Sequence, residues 1–95
     1  MDAADKRLLL DLLAKKGSMH QITVAMGELS ELLSELAKDL RGVGDEWRIV
    51  DEIADVGVVL DQLRLMYDPT GAREALYRGF KLRRVQLRNI EGERP

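Results

Sequence analysis

The segment SMHQITVAMGELSELLSELAKDL, residues 18–40, decides the fold. Ile22, Ala25, Leu29, Leu32, Leu33, Leu36 and Leu40 recur at intervals of three and four, the period of one helix face and not of a strand. Ser18, with Gln21 three residues on, has the pattern of a capping box and predicts the start of this helix. Gly42-Val43-Gly44 predicts its end. Upstream, Leu8, Leu9, Leu12 and Leu13 give a shorter helix from about Ala3 to Lys16, stopped by Gly17. Downstream, Asp45 is the expected N-cap of a third helix whose stripe is Ile49, Ile53, Val56, Val59, Leu60 and Leu63. Asp68-Pro69-Thr70-Gly71 is a turn, and a basic fourth segment runs from about Ala72 to Ile90, weakened by Gly79.

These connections are short, which makes neighbouring helices antiparallel. The expected fold is therefore all-α, a bundle of about four helices forming one domain over residues 1–95. Composition agrees: 45% of the chain is apolar, yet it has only one Trp, two Tyr and one Phe, so Leu, Val, Ile, Met and Ala must build the core. A chain of 95 residues has a thin core, and assembly into a homodimer or homotetramer is the expected way to bury more of it. The absence of cysteine excludes disulfides and thiolate metal sites. No apolar run reads as a signal peptide or a membrane span, so the expectation is a cytoplasmic protein with no membrane partner.

Charge is unevenly placed. From Glu28 to Asp61 there are ten acidic residues against three basic ones, and from Arg73 to Arg94 seven basic against three acidic. Either the two segments pair with each other, or an acidic patch holds cations beside a basic segment that meets phosphates. A net charge of −2 and the acidic middle argue against a nucleic-acid groove binder.

The acids have a telling distribution. Glu28, Glu31 and Glu35 fall along one flank of the second helix's stripe. Glu52 lies inside the apolar stripe of the third, among Ile49, Val56, Val59 and Leu63, with Asp55 one turn on. An ionised carboxylate facing a core is costly unless a basic partner, a proton or a metal compensates it. Oxygen ligands alone select hard ions such as Mg2+ or Mn2+. Against this, glutamates at three- and four-residue spacing are often only a solvated helix face, and spacing does not decide between the two.

The stretches QITVAMGELSELL (21–33) and IVDEIADV (49–56) resemble the MazG-like branch of the all-α nucleoside triphosphate pyrophosphohydrolases. That family's pattern is Glu-Glu-x-x-Glu, a variable spacer, then Glu-x-x-Asp. Glu28 and Glu31 match the second and third acids of the first motif, and Glu52 and Asp55 match the second motif. The similarity extends through Lys38 and the Arg41-Gly42 turn to Leu60 and Leu63, and Lys81, Arg84 and Arg88 are similar to a basic C-terminal helix in relatives. The resemblance implies a Mg2+-dependent hydrolase that attacks the α-phosphorus of a nucleoside triphosphate and releases pyrophosphate. It implies Glu28, Glu31, Glu52 and Asp55 as metal ligands, Glu31 or Glu35 as the base, and Lys38, Lys81 and Arg84 at the substrate phosphates. Gly27 departs from the pattern, standing where the family has its first glutamate, and bears on the rate.

Other residues read as structural. His20 has no second nitrogen or sulfur ligand at useful spacing. Trp47 is expected in packing or a subunit contact, and Met19, Met26 and Met66 as core fill.

Overall fold

A computed structural model describes residues 1–92; Arg94, counted above in the basic segment, lies outside them. The regular structure among the described residues is entirely helical: α1 (Ala3–Lys16), α2 (Ser18–Leu40), α3 (Glu46–Tyr67) and α4 (Ala72–Gly92). The caps explain most of the boundaries. The Asp2 carboxylate accepts from the Asp5 N–H at 2.8 Å and starts α1, and Asp45 accepts from the Trp47 N–H at 2.9 Å and starts α3, as expected. The capping box is not formed. Gly17, at φ 88°, is both the last cap of α1 and the N-cap of α2, Ser18 is already helical, and no side chain caps α2. Gln21 is instead buried.

The packing centre is the pair α2–α3. Gln21, Val24 and Glu28 line one cavity with Gln62, Val59 and Asp55, and Glu31 lies against Glu52. Each of these partners is equally far in sequence from the connecting turn, so the helices are antiparallel and in a single register. The turn is closed tightly. A Cβ on Gly44 would lie 2.6 Å from the Cα of Asp39, so only glycine lets the chain double back here. α1 lies against the far end of the pair: Leu9 is buried, and its carbonyl accepts from Gln62 Nε2 at 3.1 Å.

Only part of the apolar stripe of α2 is covered: Ala25 is buried and Ile22 and Leu32 are half-buried. Leu29, Leu33, Leu36 and Leu40 are exposed, Leu33 by 68%. So are Val50, Ile53 and Val58 on α3, and Leu8 and Leu12 on α1. Met19, Met26 and Trp47 are exposed too, so the two methionines are not core fill. Among the described residues the buried apolar set is Leu9, Ala25, Val56, Val59 and Leu65.

α4 packs on none of the other helices. It is held at its start, where Arg64 Nε donates to both carboxylate oxygens of Glu74 at 2.8 Å and its guanidinium also reaches Asp61 at 3.0 Å. Asp68 accepts from the Glu74 N–H at 2.8 Å. Beyond that, Leu76, Phe80, Val85 and Leu87 are all exposed. A folded monomer of this mass has about 5,500 Å² of accessible surface and a radius of gyration near 12 Å; this chain has 7763 Å² and 16.9 Å.

Candidate metal centre

With Leu29, Leu33, Leu36 and Leu40 exposed, α2 contributes acids to the seam. Glu28 and Glu35 are half-buried toward α3, and Glu52 is half-buried opposite them. Carboxylate oxygens of Glu28, Glu31 and Glu52 lie within 4.8 Å of one another, and those of Asp51, Glu52 and Asp55 do likewise. Glu52 belongs to both groups, so five acids from two helices form one continuous cluster. The sequence reading missed Asp51. It is exposed and sits off the apolar stripe, and only the fold brings it beside Glu52 and Asp55.

Among the described residues no lysine, arginine or histidine forms an ion pair with Glu28, Glu31, Asp51, Glu52 or Asp55. Among the described residues the acidic and basic segments therefore form no ion pair with each other. Glu28 Oε2, Glu35 Oε2 and Glu52 Oε2 are buried and have no hydrogen-bond partner. Such oxygens lose hydration with nothing in return. Burial, then the charge of Asp55 and Glu31, lifts the Glu28 carboxyl above the usual carboxylate range. Burial, then Glu31, Asp55 and Glu28, does the same to Glu52.

The remaining residues singled out from the sequence are placed less centrally. Glu35 lies one turn beyond Glu31, and its Oε1 accepts from Lys38 Nζ at 3.2 Å. Lys38 thus neutralises Glu35 and stays near the cluster. Lys81 and Arg84 sit on α4 beyond its Arg64-anchored start, where it packs on neither α2 nor α3, and no ion pair joins them to the acids. His20 and Trp47 are exposed and belong to neither acidic group.

The donor set suits a hard divalent ion: carboxylates only, from both sides of a helix seam, with unpaired oxygens and, among the described residues, no basic side chain paired to the five acids. Fold and site together define a helical hairpin with an acidic seam. Comparison with family profiles, curated sequences and solved structures finds no match for the chain.

Proposed function

We propose that the acidic seam binds Mg2+, with Mn2+ as a substitute, and that the protein is a nucleoside triphosphate pyrophosphohydrolase. One observation carries the reading: the buried Oε2 atoms of Glu28 and Glu52 have no partner and belong to a five-acid cluster that, among the described residues, no basic side chain pairs with. Glu28, Glu31, Glu52 and Asp55 would hold the ion. Bound there, it would neutralise the triphosphate, polarise the α-phosphorus and lower the pKa of an attacking water. The chain's own residues do the rest. Glu35 keeps one carboxylate oxygen free of Lys38 and can accept a proton from that water, a role Glu31 shares where it is not engaged as a ligand. Lys38, beside Glu35, offers charge to the phosphates. Water attack at the α-phosphorus breaks the bond to the bridging oxygen, giving nucleoside monophosphate and pyrophosphate.

The reading includes self-assembly, as a homodimer or homotetramer. About 2,200 Å² of accessible surface exceeds what a monomer of this mass displays, well above the ~800 Å² that each partner gives to a standard interface. In such an assembly Lys81 and Arg84 reach phosphates from a second copy, since they do not reach their own chain's acids.

A weak or inactive nucleotide binder is the second reading, and Gly27 favours it. A Cβ there meets nothing within 4 Å, so space does not account for the missing acid. A panel of ribo- and deoxynucleoside triphosphates with Mg2+, with products separated by chromatography, tests both. Monophosphate plus pyrophosphate from at least one substrate is expected. Binding without turnover selects the second reading, and diphosphate plus orthophosphate overturns the first.

A further inference from the structure

A cavity of about 230 Å³ opens between α1, α2 and α3, directly beside the acids. Glu28 and Asp55 belong to its wall as well as to the cluster. Its other lining side chains are apolar, from Leu9, Leu12, Val24, Val58 and Val59. Two glutamines interrupt them, Gln21 on α2 and Gln62 on α3, exposed by only 5% and 3%. A helix seam built only for stability would place Leu or Val at both positions.

The amides are incompletely used. Gln62 Nε2 donates to the Leu9 carbonyl, and because a carbonyl only accepts, this fixes which end of the amide is which. Its Oε1 is then left buried without a donor. Gln21 has no side-chain hydrogen bond to any described residue. An occupant with apolar flat faces and an edge carrying N–H and C=O groups would satisfy both. The volume lies below the ~300 Å³ at which pockets for drug-sized ligands begin, which suits a single ring and not a whole nucleotide.

We propose that this cavity seats a pyrimidine base, read at its edge by Gln21 and Gln62, while the phosphates of the same nucleotide lie at the acidic seam. The assignment rests on the nucleotide reading above and adds the substrate class to it. Buried groups that need a partner discriminate strongly against ligands lacking one, so these two amides set the base preference.

The test uses the full chain labelled with 15N and follows the side-chain NH2 signals of both glutamines. Free nucleosides, which carry no phosphate, probe the cavity alone; inorganic tripolyphosphate with Mg2+ probes the seam alone. Pyrimidine nucleosides should shift the signals of Gln21 and Gln62, and purine nucleosides should not. Gln62→Leu should weaken nucleoside binding about tenfold or more while leaving Mg2+-dependent tripolyphosphate binding unchanged. Gln21→Leu provides the same comparison where the first variant does not fold. Unmoved glutamine signals, unchanged affinity in a folded variant, or a preference for purines overturns the proposal. If tripolyphosphate fails to bind while a pyrimidine nucleoside still moves both glutamines, the metal reading falls and the cavity assignment stands.

Discussion

α2–α3 and α4 use similar residues to opposite ends. The hairpin half-buries carboxylates and exposes most leucines of α2; α4 exposes both its apolar side chains and its arginines and, among the described residues, packs on none of the other helices. In neither region does the folded chain satisfy its own groups. Among the described residues, the acidic cluster of the hairpin lacks a basic partner, and α4 lacks an apolar partner and negative charge along most of its length. Each region holds what the other needs, yet the geometry of one chain keeps them apart. Incompleteness of this kind is what a ligand and a second copy would resolve.

The largest expected effect tests the hairpin. Glu52→Gln should abolish turnover, by more than the 10–100-fold or so that loss of an outer-shell partner costs at a metal site. The metal-free variant should be at least as stable as the wild type, because one of several repelling carboxylates is gone. Mg2+ should raise the wild-type Tm, as a ligand specific to the native state must, and raise the variant's far less. Thermal melts with and without the ion check this. A large loss of metal-free stability with an unaltered response to Mg2+ would return Glu52 to a structural role.

Assembly comes next. Leu33→Glu combined with Leu36→Glu changes two exposed residues of α2 and should leave the helices intact while shifting sedimentation toward a single chain. A wild-type protein that already sediments as a 10.7 kDa monomer removes the second copy, and with it the proposed route of α4 to the site. A smaller effect is expected on α4 itself. Changing Lys81 and Arg84 together to Ala should raise KM or lower kcat about tenfold, which is ~1.4 kcal/mol, with metal affinity nearly unchanged. Unaltered kinetics would make them solvated surface charges.

Much of the fold was legible because helix periodicity and caps are local signals. Asp45, Gly17 and the turn 68–71 behave as their chemistry requires. Periodicity shows which face of a helix is apolar but not what that face is turned toward, and here Leu29, Leu33, Leu36 and Leu40 of α2 are left exposed. Ser18 misled because Gly17, free to adopt φ 88°, takes the capping position one residue earlier. Glu52 was readable as misplaced within an apolar stripe. Gln21 and Gln62 were not, since an amide carries no charge to stand out and its burial depends on a partner helix some forty residues away.

The smallest effect contrasts the two regions by pH. Glu28 and Glu52 are raised above their unfolded values, so the folded state binds protons more readily there. Their contribution is fully present below about pH 4.3, the unperturbed glutamate value, and is lost as pH rises through their raised values. Asp68 has the opposite sign. The Glu74 N–H, with help from Arg73, lowers its pKa, so its contribution is present above about pH 3.9 and is lost as pH falls through the lowered value. Acidification of the metal-free protein should therefore first tighten the hairpin and later loosen the start of α4. Residue-resolved amide exchange would show it. Asp68→Ala should speed exchange at residues 73 and 74 by about fivefold, and identical behaviour of both regions across the range would contradict the assigned causes.

The turn between α2 and α3 has a consequence for tolerance of length change. Surface connections ordinarily accept insertions at little thermodynamic cost. This one links two helices whose facing residues are equally spaced from it, with Gly44 pressed onto Asp39. One added residue that propagated into α3 would rotate that helix by about 100° and advance it by about 1.5 Å relative to α2. Glu52 would leave the seam, and Gln62 would leave the cavity with it. An exposed five-residue link is thus the part of the chain where an insertion or deletion is least admissible, because it sets the register on which every facing pair depends.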